Sequence, residues 1–184
     1  AMMQCCDYLL PNESELQRLV RSFGVPSRAD DDGAGPLDAS TIVEMAQVLQ
    51  KHGARNVLVT RGSRGSTLVT ESGDALHQPA FAVSQLVDET GAGDCYRAGF
   101  AVALLEGKSL QQCMEYASAA GSCSVERAGA VPSTPTRDDV EERFPMTESS
   151  PDSVLKIPRG DGLSLPRGGA ADFPFLIGSR LNSM

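Results

Sequence analysis

Histidine is scarce in this 184-residue chain, with only His52 and His77. Cysteine occurs five times, an odd count, with no C-x-x-C spacing. Neither pattern fits a zinc site or a disulfide framework, and both favour a reducing compartment, so the expected location is cytoplasmic. Cys5 and Cys6 are adjacent, and their side chains diverge in any regular structure. Cys95 is expected to be a plain small residue on a helix, and both histidines to lie on the surface. No apolar run is long enough to span a bilayer. The stretch Ala1–Asp7 lacks a basic region followed by a long apolar one, so neither a membrane span nor a signal peptide is expected. Basic residues are outnumbered, 16 Lys and Arg against 24 Asp and Glu, for a formal net charge of −8. That balance argues against nucleic acid as a partner. It does not exclude an anionic nucleotide, because a local nest of amides binds phosphate even inside an acidic protein. The acidic excess lies before residue 145. Beyond it, Lys156, Arg159, Arg167 and Arg180 balance Glu148, Asp152, Asp161 and Asp172.

What is present reads as an ordinary globular composition, 41% hydrophobic and 22% charged. Tyr8-Leu9-Leu10 is a short strand closed by Pro11-Asn12. A helix with Leu16, Leu19, Val20 and Phe23 on its apolar side follows, with Asn12 as its cap, and Gly24 ends it. Residues 26–37, with the acidic run Asp30-Asp31-Asp32, form a surface loop. Asp38 or Ser40 caps a second helix carrying Ile42, Val43, Met45, Ala46 and Leu49, stopped at His52-Gly53. Val57–Thr60 is a buried strand. The turn Arg61–Gly65 leads to a strand at Ser66–Thr70, and Ser72-Gly73-Asp74 turns the chain into a strand at Ala75–Phe81. A helix is expected from Asp94 to Glu106, with the stripe Cys95, Ala98, Gly99, Val102 and Leu105. Another runs from Leu110 to Val125, with small residues on one face. Thr136 caps a last short helix, Arg137–Phe144. Alternating strands and helices, with strands too apolar for a wet face, predict an α/β sheet covered on both sides. From Pro145 onward, Pro151, Pro158, Pro166 and Pro174 recur among glycines and serines, as in a linker or tail. Phe173–Ile177 is apolar enough to dock or to open a further element.

One stretch carries chemistry: Asp88-Glu89-Thr90-Gly91-Ala92-Gly93-Asp94. Small residues at a helix start present backbone N–H groups to an anion, with a carboxylate beside them. Holding developing phosphate charge while deprotonating an alcohol needs those two parts together, so the expected chemistry is phosphoryl transfer to a hydroxyl. The stretch matches neither G-x-x-x-x-G-K-[ST] nor G-x-G-x-x-G. Asn12-Glu13-Ser14-Glu15 is either a capped helix start or, with Asn12 and Glu15 one turn apart, a pair reaching magnesium-bound water or phosphate. Thr60-Arg61-Gly62-Ser63-Arg64-Gly65 follows a buried strand, where α/β proteins bind ligands. It is either a nucleotide-binding loop or a hairpin turn with solvated arginines.

The order and spacing of these segments, continued by Ala119-Ala120, Arg127-Ala128-Gly129-Ala130 and Pro132-Ser133, resemble the C-terminal, nucleotide-binding half of the ribokinase/PfkB family of carbohydrate kinases. The likeness runs from about Asp7 to Phe144. The Asn-Glu-x-Glu opening and the late Arg-x-Gly-Ala-x-x-Ser most resemble ribokinase itself. The resemblance implies a three-layer α/β/α sandwich of ribokinase type, present only as its C-terminal portion over residues 1–144, with residues 145–184 a linker or the start of a fused segment.

It implies Asp94 as the base for a sugar hydroxymethyl, with Gly91, Ala92 and Gly93 as the anion hole over the γ-phosphoryl of ATP. Asn12 and Glu15 would organise Mg2+ and phosphate. Thr60, Arg61, Gly62, Ser63, Arg64 and Gly65 would run along the nucleotide, with Ser118 near the adenine, where the family often has Asn or His. Asp88, Thr90, carbonyls of Ser124, Arg127 and Gly129, and Ser133 would form a K+ site. Glu89 replaces a commonly small or neutral residue and is expected to face solvent. The family's N-terminal half, with its early strands, β lid and sugar-gripping residues, has no counterpart in this chain. The chain is therefore expected to be a fragment, a truncated gene model or part of a fused polypeptide. A missing N-terminal half or a dimer partner is the expected companion. The implied activity is sugar phosphorylation. The alternatives are a catalytically dead remnant that binds nucleotide or a partner, and a nucleoside or fructose kinase.

Overall fold

The structure, a computed structural model, describes residues 3–25 and 36–144. The acidic run at residues 30–32 and everything from residue 145 on, including Phe173–Ile177, lie outside the described residues. In chain order the elements are β1 (Tyr8–Leu9), α1 (Glu13–Ser22), α2 (Ala39–Lys51), β2 (Asn56–Thr60), β3 (Ser66–Val69), β4 (Ala75–Gln78), α3 (Ala92–Leu105), α4 (Leu110–Ser124) and α5 (Arg137–Arg143). The strands form one sheet in the order β1-β2-β3-β4. β1 pairs parallel with β2, and β2, β3 and β4 pair antiparallel.

Strand alternation creates two cores. Val57 and Val59 of β2, with Val69 and Ala75, pack on Leu16 and Val20 of α1 and Ile42 and Leu49 of α2. The intervening Leu58, with Leu68 and Leu76, packs on Phe100, Met114 and Ala117 from the other face. Successive side chains of a strand point to opposite faces, so one short apolar strand serves both layers. The result is the expected α/β sheet with helices on both sides. Leu58 and Leu68 are fully buried; each such side chain is worth about 1.5–3 kcal/mol in burial alone.

Local chemistry sets the helix ends. Asn12 caps α1 through a reciprocal box with Glu15. Asp38, not Ser40, caps α2, accepting from Thr41 N–H at 2.7 Å, while the Ser40 hydroxyl donates to Asp38. Thr136 caps α5.

Two boundaries and one buried face differ from expectation. β4 stops at Gln78 because Pro79 brings no N–H to the ladder, so residues 79–91 leave the sheet. α3 begins at Ala92 rather than Asp94. Its buried face is Cys95, Tyr96, Gly99, Phe100 and Ala103; Ala98 is exposed and Leu105 is 76% exposed. The two aromatics turn the helix. Tyr96 reaches across to donate to Ser66 Oγ of β3 at 2.7 Å, and Phe100 meets Tyr8 edge-on at 5.3 Å.

α3 and α4 approach closely through small residues. A β-carbon at Gly99 would lie 2.9 Å from Ala120 Cβ and 3.1 Å from Ala117 Cα. Cys95, Cys113 and Cys123 are buried, and burial pushes the Cys113 thiol up to about 11, so it stays a neutral packing group. His52 is exposed and stacks on Phe23, whereas His77 is half-buried in β4, its ring beside Thr67. No helix among the described residues is long and apolar enough to cross a membrane.

Candidate active site

The C-terminal ends of the parallel pair β1 and β2 open on one cavity of about 640 Å³, a volume typical of small-molecule sites. Thr60 N–H donates to Pro11 O at 3.0 Å, and Asn12 pairs with Thr60 across an isolated bridge. That contact brings the start of α1 beside the β2–β3 turn.

The cradle expected at residues 91–93 is partly open. Gly91 is the N-cap of α3 with φ +83°, and a β-carbon there would meet Ala130 Cα at 3.2 Å, so glycine is required on both counts. Ala92 N–H is taken by Glu89 O at 3.2 Å. The Gly91 and Gly93 N–H groups have no acceptor among the described residues. Asp94 N–H turns back to Gly91 O. The Asp94 side chain is 84% exposed, with Oδ1 paired to Arg97 at 3.1 Å. Two amides without a protein acceptor among the described residues therefore lie at the positive end of a 14-residue helix, with an unburied acid in the same turn.

Asn12 and Glu15 both line the cavity. They are also the capping pair: Asn12 Oδ1 accepts from Glu15 N–H at 2.9 Å, and Glu15 Oε2 accepts from Asn12 N–H at 2.8 Å. Both sequence readings of this pair are thus compatible in one geometry. Of the 60–65 segment, Thr60, Gly62, Ser63 and Gly65 line the cavity. Arg61 and Arg64 do not. Arg61 donates to Glu13 at 3.0 Å and to Leu37 O at 2.7 Å, and Arg64 binds the same two partners. Ser118 is buried, donates to Pro79 O at 3.2 Å and lines the cavity. Phe81, Val83, Leu86 and Val125 supply an apolar wall. Glu89 is exposed, as expected, yet it also borders the cavity.

Asp88 ties the cradle loop to the turn after α4. Its carboxylate accepts from Thr90 N–H at 2.9 Å and Gly129 N–H at 2.8 Å. The Thr90 hydroxyl and the Gly129 and Thr90 N–H groups hold the Asp88 carboxyl below its ordinary value. Ser124 O accepts from Arg127 N–H, and Gly129 O from Ser133 N–H; Ser133 is buried in this turn. The Arg127 guanidinium goes to Asp139 at 2.9 Å, leaving only its backbone toward the turn. Among the described residues no cluster of three or more His, Cys, Asp or Glu could hold a metal. A carbonyl-rich site for a hard monovalent ion is a different type of donor set.

One residue escaped the sequence reading. Arg97 donates to Asp94 Oδ1 at 3.1 Å, to Glu15 Oε2 at 3.4 Å and to Leu10 O at 3.3 Å, and it lines the cavity. Its spacing three residues after Asp94 was the available signal.

Comparison with known proteins adds to this geometry. The pfkB family of carbohydrate kinases matches residues 1–137. Ribokinase from Arabidopsis thaliana is 38% identical over 139 residues, which are 76% of this chain and 34% of the relative. Ribokinase from Haemophilus influenzae is 32% identical over 141 residues, 77% of this chain and 42% of the relative. The structure of Arabidopsis thaliana ribokinase complexed with ribose and ATP superposes with a TM-score of 0.69 at 36% identity, covering 79% of this chain and 43% of that one. Ribokinase from Thermotoga maritima gives a TM-score of 0.66 at 36% identity, over 77% and 43% of the two chains. The chain thus spans less than half the length of these relatives. With the sandwich, the cradle and its acid, and the match over most of its length, the chain belongs to the pfkB family of carbohydrate kinases.

Proposed function

We propose that this chain is the nucleotide-binding portion of an ATP-dependent sugar kinase of ribokinase type. The observation that carries the reading is the pairing of two open amides, Gly91 and Gly93, with the exposed Asp94 in one helical turn, where Gly93 lines the 640 Å³ cavity and Gly91 and Asp94 lie outside its lining. Asp94 takes the proton of a sugar hydroxymethyl as its oxygen bonds the γ-phosphorus. The bond from γ-phosphorus to the β–γ bridging oxygen breaks, and ADP leaves. Gly91 and Gly93 N–H groups, with the α3 dipole behind them, meet the charge on the transferring group, so the catalysis is positioning and electrostatics. Thr60, Gly62, Ser63 and Gly65 lie along the phosphates and ribose of the nucleotide, and the Phe81–Leu86 wall and Ser118 flank its base.

Glu15 and Asn12 face the cavity in a way that suits Mg2+, which keeps most of its waters and needs only one or two protein contacts. When bound, it would screen the phosphate charge. Asp88 ties Thr90 and Gly129, and Gly129 O accepts from Ser133 N–H; with the Ser124 and Arg127 carbonyls nearby in sequence, these groups would supply an oxygen set suited to K+. The Asp88 contacts fix the cradle loop.

Ribose is the favoured acceptor because the relatives named ribokinase align over about three quarters of this chain. A second reading, a nucleoside kinase, is favoured by one observation: the nucleoside kinase of Methanocaldococcus jannaschii is 39% identical over 88 residues. The test is phosphate transfer from ATP by the full-length protein, with Mg2+ and K+ present and ribose, fructose or nucleosides offered. Transfer to ribose is expected, and Asp94→Asn should slow it roughly 10²–10⁴-fold. Unchanged turnover in that variant refutes the assignment of Asp94. ATP binding with no transfer to any acceptor points to a nucleotide-binding remnant.

A further inference from the structure

Charge around the cavity is lopsided. Among the described residues that line it, Glu15 and Glu89 are acids and Arg97 is the one Lys or Arg. Arg61 and Arg64, the cations that the sequence placed nearest, are committed to Glu13 and Leu37 O. A nucleotide triphosphate entering this acidic chain therefore meets a single fixed cation. That cation sits against the cradle: a β-carbon at Gly93 would lie 3.5 Å from Arg97 Nη1. Its root is anchored, because Nε donates to Leu10 O at 3.3 Å, while Nη1 and Nη2 reach Asp94 and Glu15.

Resting on the kinase reading above, we propose that Arg97 is a catalytic residue that grips the transferring phosphoryl group. Its ion pairs with Asp94 and Glu15 are the resting state that phosphate exchange releases. The guanidinium side chain is 36% exposed and the Asp94 side chain 84% exposed. Exposed pairs of this kind are weak, so a multiply charged phosphate displaces them readily. Guanidinium matches phosphate with two parallel charge-assisted bonds, whereas Asp94 and Glu15 each offer it one single, unpaired contact. Once Nη1 turns to the phosphate, Asp94 Oδ1 loses its partner and is available to the acceptor hydroxyl. Nucleotide arrival thereby frees the base, and the same side chain adds a third donor to the Gly91 and Gly93 amides.

The experiment is calorimetric titration of the full chain, native, Arg97→Ala and Arg97→Lys, with ATP, ADP and AMP. The expected result is a loss of about 10- to 100-fold in ATP affinity for Arg97→Ala, with AMP changed less than about threefold, and partial recovery of ATP binding in Arg97→Lys. Equal ATP affinity in the native and Arg97→Ala chains overturns the proposal. So does a uniform loss for all three nucleotides that Arg97→Lys does not restore, which marks a structural role. A native chain that binds none of the three removes the nucleotide site itself, and with it the kinase reading, which is a different failure from the loss of Arg97 alone.

Discussion

Gly65 offers the sharpest test of how the cavity wall is built. It closes the turn between β2 and β3, its carbonyl accepting from Arg61 N–H at 2.8 Å and its N–H donating to Gly62 O at 3.0 Å. Its backbone sits at φ 81°, ψ −136°, close to a region essentially restricted to glycine. A β-carbon added there would fall 2.0 Å from Gln78 O, 2.8 Å from Pro79 C and 2.8 Å from Ala80 N. All three are backbone atoms at the end of β4, so no rotamer change relieves the clash. Gly62, three residues earlier in the same turn, is the natural control. It has φ 58°, and nothing lies within 4 Å of the position a β-carbon would take, so alanine there costs only left-handed strain, about 1–2 kcal/mol.

Gly65→Ala adds about 1–3 kcal/mol of displaced packing to about 1–3 kcal/mol of strain. The expected total is about 4 kcal/mol, against about 1.5 kcal/mol for Gly62→Ala. For a chain of this size that total lowers Tm by about 8–16 °C. Urea unfolding followed by circular dichroism measures both variants, with an unchanged slope confirming that the native state is what suffers. If Gly65→Ala unfolds within about 0.5 kcal/mol of Gly62→Ala, the packing of this turn against residues 78–80 is wrong, and with it the wall of the cavity.

Further outcomes follow from buried contacts. Tyr96→Phe leaves Ser66 Oγ buried without its donor and should cost about 1–3 kcal/mol in thermal or urea unfolding. A neutral result would mean that the hydroxyl does not tie α3 to β3. Gly99→Leu forces α3 off Ala117 and Ala120 and should destabilise by about 3 kcal/mol or prevent folding, whereas Gly107→Ala, with open space around its β position but φ +74°, should cost only left-handed strain, about 1–2 kcal/mol. Glu126 accepts from Arg143 at 2.5 Å and from Ser84 N–H at 2.7 Å, and these partners hold its carboxyl below the ordinary value. A folded-state pKa below the unfolded one stabilises the fold above the unfolded value and loses that contribution as pH falls through the folded value. Urea midpoints should therefore hold from neutral pH to about pH 5 and drop below about pH 4. Glu126→Gln should be less stable at neutral pH and show a shallower acid decline; parallel curves for the two proteins would remove Glu126 as a contributor.

The site was legible wherever a side chain acts on its own neighbourhood. Asn12, Asp38 and Thr136 each cap a helix by accepting from an N–H three residues on. The Gly-Ala-Gly-Asp run announces a helix start with free amides because helix ends lack intrahelical partners whatever surrounds them. The apolar run of β2 announces a strand buried on both faces because alternate side chains cannot share one side. Less legible was the rotation of α3. Ala98 and Leu105 look as apolar as Tyr96 and Phe100, and only the location of β3 and β1 decides which pair is covered.

Sequence by itself determined the layered α/β plan, the caps, and a glycine-rich helix start with Asp94 in its first turn, since each depends on periodicity or on contacts within one helical turn. Tertiary structure alone decided where the arginines go. Arg61 and Arg64 turn to Glu13, 48 and 51 residues away, and Arg97 turns to Glu15 and Leu10, 82 and 87 residues away. A long cation follows the strongest acceptors within reach, and which acceptors lie within reach is settled by the packing of distant segments rather than by any spacing along the chain.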